Sequence, residues 1–261
     1  MALLTNLQTD CNADLTPDLN NLGGAVALGT YPETAEGMAA YPGLGSPSHI
    51  WTFAETSGDT LDQVGSADLA AVGTIHRGDT AESGRHEWRL DYSGRAEATG
   101  INNLEYSGQS FRIGMVGSIR SVAAYISMLS NADASPFKGY SMYMTNGGFL
   151  VWNVTDSVTG TSKYVAPHHG ATGADDINLL AGINMTTGFI EMRTSTTTKQ
   201  SIPHTHTAWA TTLKPFGFGN IEFRYSSGIY LSYACMWVDS EAEGDFDDAF
   251  DAFSLACPVP T

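Results

Sequence analysis

The stretch 137–154, FKGYSMYMTNGGFLVWNV, decides the reading of the chain. Tyr140, Met142 and Met144 alternate with Ser141, Tyr143 and Thr145; Asn146-Gly147-Gly148 then interrupts, and 149–154 runs apolar around Trp152. Alternation at period two places one set of side chains on each face of a strand, and the aromatic and branched residues suit a pleated, half-buried surface. Asn-Gly tolerates the positive φ of a tight hairpin turn. The stretch therefore predicts a β-hairpin with Tyr140 and Tyr143 on opposite faces.

The same grammar extends outward. The 261 residues include 28 Gly, spread with Ser, Thr and Asn as repeated turn signals, which many short strands require and long helices avoid. One large β domain is the expectation. No apolar run approaches the roughly 20 residues that span a bilayer. The opening MALLTNLQTDCNADL lacks a basic segment and its apolar patch is short for a signal peptide, so export by that route is not expected. Residues 1–47 are broken by Pro17, Gly23, Gly24, Pro32, Gly37, Pro42, Gly43, Gly45 and Pro47 yet keep many apolar side chains. They predict an extended arm, with one short strand at 25–28, docked on this domain or on a neighbour.

Charge is unevenly placed. The net charge is −16, but residues 77–224 hold twelve acids against all twelve Lys and Arg, so the two ends supply the whole imbalance. Nucleic acid, which needs clustered Lys and Arg, is excluded as a partner. Solubility explains the acidic ends, with a basic protein surface or calcium as the specific alternatives. Cys11, Cys235 and Cys257 are too few and scattered for a disulfide framework or zinc site. Cys235 reads as a core residue, and a reduced chain is expected, with a Cys11–Cys257 bridge as the alternative.

Residues 49–55, HIWTFAE, predict a strand opening the domain, and Ser-Gly-x-Thr-Leu-Asp followed by a Gly turn and a short apolar run comes next. Then follow SFRIGMVGS at 110–118, the 137–154 hairpin, LLAGINMTTGFIEMRTS at 179–195 and FGFGNIEFRYSSGIYLSYACMWV at 216–238. This ordered set resembles the laminin G-like domains of the concanavalin A-like class. The resemblance covers about 48–255 and implies an antiparallel two-sheet jelly roll over 48–261. At 239–255 a helix is expected, with Ser240 and Glu243 as a capping box and Phe246, Ala249, Phe250 and Phe253 as its apolar stripe.

Relatives of this class include glycoside hydrolases, whose paired carboxylates lie about 5 to 9 Å apart. Here the nearest approach is Glu87 and Asp91 with Arg89 between them, which reads as a salt-bridged solvent face; Glu191 and Glu222 each precede an Arg by two residues and read as ion pairs. No nucleophile elbow, P-loop or dinucleotide fingerprint is present. The chain is expected not to be an enzyme. His204 and His206, with His168 and His169, form the histidine set that a metal would use, though loop polarity explains them as well. Calcium at the sandwich rim, which the resemblance implies, would use Asp59, Asp62, Asp175 and Asp176, and turn formation is the simpler account of each. Tyr143, Trp152, Tyr164 and Trp209 are the aromatic candidates for a sugar platform, against packing in the core.

A stand-alone domain of this sort resembles virion proteins of tailed bacteriophages. That resemblance implies a non-enzymatic head-decoration, tail or fibre protein. Its arm would meet other virion proteins, and it would be homo-oligomeric, with host glycan as a further ligand. A secreted or cell-surface lectin-like module is the alternative.

Overall fold

A computed structural model describes residues 31–80, 86–90, 94–98, 108–119, 125–134, 137–170, 175–208, 215–219 and 229–259. The chain divides into two compact units, Met1–Tyr31 and Pro32–Thr261. The second carries the fold. The short strand expected at 25–28 and Cys11 lie outside the described residues.

After helix α1 (Ala35–Ala39), the described strands are β1 (His49–Trp51), β2 (Leu69–Val72), β3 (Ile75–Thr80), β4 (His86–Leu90), β5 (Arg95–Ala98), β6 (Phe111–Ile119), β7 (Ile126–Ala134) and β8 (Phe137–Met144). They continue with β9 (Leu150–Thr155), β10 (Ser162–Val165), β11 (Asp175–Asn184), β12 (Phe189–Thr194), β13 (Gln200–Pro203), β14 (Gly217–Gly219) and β15 (Ile229–Val238), and helix α2 (Phe246–Ala256) closes the fold. All pairings are antiparallel. One sheet has the order β13-β12-β11-β6-β15-β4-β3, with β1 also on β15; the other has the order β10-β9-β8-β7-β14-β5-β2. This is the two-sheet sandwich that the turn-rich, alternating sequence predicts.

Register explains the core. In the seven-stranded sheet Trp152, Met142, Leu129, Phe218, Ala96 and Ala71 lie in one cross-strand row. The first five of these are buried and the row faces the second sheet. That sheet answers with Ile190, Ile183 and Phe111, and with Met192, Ala181, Ile113 and Met236. Burying each large side chain removes about 1.5–3 kcal/mol worth of apolar surface from water, and a one-residue slip would turn the whole row to the wrong face.

The hairpin has a three-residue loop. Thr145 N–H donates to Phe149 O at 2.9 Å and Gly148 N–H donates to Thr145 O at 3.0 Å. The positive φ falls on Gly148 (76°), not on the Asn146-Gly147 pair. Three-residue loops place the left-handed residue last, where glycine adds no steric cost.

The opening strand is shorter than HIWTFAE suggests. It ends at Trp51, and Phe53 takes φ 49° to drop into the core against Trp88 and Phe218. The expected 239–255 helix is two elements: a 3₁₀ turn at Asp239–Ala242, then α2. Its N-cap is Asp245, whose carboxylate accepts from Asp247 N–H and Asp248 N–H. Glu243 is not the capping partner of Ser240; it accepts from the Ser110 hydroxyl at 2.8 Å instead.

The outer face of the eight-stranded sheet is covered. α2 lays Phe246, Ala249, Phe250 and Phe253 on it. Phe253 sits edge-on to Trp237, and a Cβ at Gly114 would come within 2.8 Å of the Phe253 ring, which is why that strand position is glycine. Arg193 stacks 4.4 Å from Phe250 and pairs with Asp247 and Asp251 at 3.0 Å; Arg112 lies over Phe246 and donates to Gly244 O. Residues 32–47 lie on the same side: Tyr233 Oη–H donates to Pro32 O at 2.7 Å, Trp237 Nε1–H donates to Gly45 O at 2.9 Å, and Met38 is fully buried.

Candidate functional site

The outer face of the seven-stranded sheet is different. Strand alternation sends Tyr143 outward from β8 and Phe149 and Val151 outward along β9, while Tyr164, Ala166 and His168 share one side of β10 and its continuation. Val165, Pro167 and His169, the intervening positions, are buried. Tyr164 is 60% exposed, Phe149 43% and Tyr125 37%. Tyr125, Tyr143, Phe149 and His168 lie toward the tip of the 137–154 hairpin, and Tyr164, level with Asn153, lies further along the same face.

Phe149 and Tyr143 each pack against a neighbouring ring. The Phe149 and His168 rings meet edge to face at 4.7 Å, and His168 Nε2 lies 3.1 Å from Gly147 O. Leu150 N–H donates to Pro167 O, and His169 N–H donates to Gly148 O, which zips the hairpin to the segment after β10. Tyr125 and Tyr143 lie 6.3 Å apart. Polar groups flank Tyr164: its cross-strand partner is Asn153, whose Oδ1 accepts from the Ser162 hydroxyl at 2.8 Å, and Ser162 also meets the Thr155 hydroxyl at 2.8 Å. Rigid rings beside amide and hydroxyl groups bind a ligand with both C–H faces and hydroxyls.

The sequence candidates separate cleanly. Tyr143 and Tyr164 belong to this face. Trp152 does not: it is fully buried between Phe111 and Tyr140 with its Nε1–H on Gly182 O, so it is a core residue with no ring face left for a ligand. Trp209 lies outside the described residues. Phe149, His168 and Tyr125 were not singled out for this surface from sequence; His168 entered only in the histidine set for a metal. The signal for the first two was the spacing Tyr143, Phe149, Val151 and Tyr164, Ala166, His168, which only the hairpin geometry turns into one surface.

Of the rim aspartates, Asp62 and Asp59 bind backbone N–H groups. Asp62 accepts from Ile50, Val64, Gly65 and Ala67 N–H and meets His49 Nδ1 at 2.5 Å. Burial works to raise its pKa, but the His49 and backbone hydrogen bonds outweigh it and hold the carboxyl down to about 2. Asp59 accepts from Ala71 N–H at 3.1 Å. Asp175 and Asp176 open β11 opposite Ile119 and Ser118, whereas His49 lies level with Met236, Ile113 and Ala181. Asp62, bonded to His49, is thus about 20 Å from Asp175 and Asp176 along the strands, and the structure does not bring the four together.

Histidines are engaged likewise. His204 Nδ1 accepts from His206 N–H at 3.1 Å while its Nε2–H donates to Asn184 O at 3.3 Å, and His206 Nε2 donates to Val154 O at 3.1 Å. Among the described residues no group of three or more His, Cys, Asp and Glu could hold a metal ion. Glu87 is not on a solvent face as expected: it is fully buried and accepts from the Ser232 hydroxyl at 2.7 Å, and Asp91 lies outside the described residues. Arg193 turns to α2, so Glu191 faces Lys199 at 3.7 Å instead. Burial raises the Glu191 pKa, with Lys199 and Arg112 opposing.

Solved structures share this architecture. The binding domain of botulinum neurotoxin DC, in a complex with rat synaptotagmin II, matches with a TM-score of 0.60 at 14% identity over 81% of this chain and 52% of its own. A structure of botulinum neurotoxin type C, described as dependent on two ganglioside molecules for cell entry, matches at 0.58 and 14% identity over 80% and 51%. The binding domain of Paraclostridial Mosquitocidal Protein 1 matches at 0.60 and 10% identity over 80% and 51%. The fold is shared; the sequence is not. The chain spans about half the length of these neighbours. No family model matches the chain, and no curated protein matches it. Among the described residues no helix is long and apolar enough to cross a membrane.

Proposed function

We propose that this chain is a non-enzymatic carbohydrate-binding module, carried as a structural component of a tailed-bacteriophage virion. The observation that carries the binding half is the exposed, braced aromatic face of the seven-stranded sheet, with Asn153 and Ser162 beside Tyr164. The neighbours of like fold are binding domains, which supports recognition over catalysis. The assembly half is supported by the opposite side of the sandwich. There α2 and residues 32–47 already cover the second sheet, which leaves the aromatic face as the open side of the described fold. Residues 1–31, broken by Pro17, Gly23 and Gly24 yet keeping several leucines, would serve as an arm that docks on other virion proteins or on copies of this chain.

Affinity electrophoresis of the full chain through gels containing host polysaccharides, paired with an assay for new reducing ends, tests this reading. Retardation without release of reducing ends is expected. Release of reducing ends would overturn the non-enzymatic reading, and unretarded migration through every polysaccharide would overturn carbohydrate binding.

A further inference from the structure

We infer that the aromatic face takes an uncharged saccharide and discriminates against acidic glycans; this rests on the carbohydrate-binding reading. Among the described residues around Tyr164, Phe149, Tyr143 and Tyr125 the polar groups are Asn153, Ser162, Thr155 and His168, which offer amide, hydroxyl and imidazole contacts but no fixed positive charge. Lys163 neighbours Tyr164 in sequence, yet alternation places it on the other side of β10, in phase with buried Val165. On the outer face of this sheet the described cation is Arg95 of β5. It lies five strand spacings from β10, about 24 Å, and is already 2.6 Å from Glu97.

Charge argues in the same direction at long range. A carboxylated or sulfated sugar approaching a chain of net charge −16 meets repulsion and, beside these aromatics, finds among the described residues no guanidinium or ammonium to offset the loss of its hydration. A neutral hexose or N-acetylhexosamine loses little on desolvation. Its C–H face stacks on Tyr164 or Phe149, and its hydroxyl or acetamido groups can exchange water for the Asn153 amide and Ser162 hydroxyl.

The test is a glycan microarray of matched neutral, sialylated and sulfated oligosaccharides, probed with the full chain, with Tyr164→Ala and with Phe149→Ala. Leu255→Ala, an exposed apolar position on α2 across the sandwich, is the control. Both aromatic residues are well exposed, and unchanged thermal unfolding of each variant confirms folding. Expected are signals on neutral oligosaccharides, steady between about 0.05 and 0.5 M salt. They should fall about five- to tenfold in each aromatic variant and hold in the control. Acid-only binding that fades with salt would overturn the inference and leave carbohydrate binding standing. Neutral-sugar signals indifferent to both aromatic variants would overturn the assignment to this face. No signal on any glycan overturns the reading beneath it as well.

Discussion

At the scale of single residues, two titratable groups show how parts of the fold answer to acid. Asp62 has a folded pKa of about 2 against an ordinary 3.8, because four backbone N–H groups and His49 favour its ionised form. Its contribution is complete above pH 4 and is lost as the pH falls toward 2. Asp62→Ala should cost about 3 kcal/mol at pH 7, and much less near pH 2, measured by urea unfolding at both values. His204 behaves in the opposite chemical sense. Burial, with a smaller push from His206, holds its pKa below 6.5 against the hydrogen bond to Asn184. Its Nδ1 must stay bare to accept from His206 N–H. The neutral ring is the folded form, so its share of stability is present above pH 6.5 and drains as the pH falls below it. His204→Gln should flatten the decline in melting temperature between about pH 6.5 and 5; an unchanged slope would show that other groups govern it.

Elements carry the next set of consequences. α2 is fixed by a single cap and by an aromatic stripe on the eight-stranded sheet. Asp245→Ala should lower stability by about 1 kcal/mol, and Phe253→Ala, which opens a cavity against Gly114 and Trp237, by about 3–5 kcal/mol in chemical denaturation. The helix also shows where sequence sufficed and where it stopped. The spacing of Phe246, Ala249, Phe250 and Phe253 marked its buried stripe. Its start was misread because Ser240 and Glu243 fit a capping box, while Gly244 breaks the helix and Asp245 caps the remainder. The hairpin was legible for the same reason as the stripe: Tyr140, Met142 and Met144 share a buried face, as period two demands. Burial between sheets was not. Trp152 and Tyr164 look alike in sequence, yet one packs against the opposite sheet and the other sits on the outer side of an edge strand. Only the pairing order distinguishes them.

For the whole molecule, the sandwich has two unlike outer sides. One is closed by α2 and residues 32–47; the other holds Tyr125, Tyr143, Phe149, Tyr164 and His168. If residues 1–31 are an assembly device, the full chain should form a larger species in light scattering and a chain beginning at Pro32 should be a folded monomer. A monomer in both cases would remove self-assembly through the arm. The central claim concerns the other side. Hydrogen–deuterium exchange of the full chain, with and without a saturating saccharide that it retains, tests it most directly. The account predicts slowed exchange at the hairpin tip and through β9 and β10, with α2 and residues 32–47 unchanged. Protection confined to α2 and residues 32–47, with β9 and β10 unaltered, would contradict it.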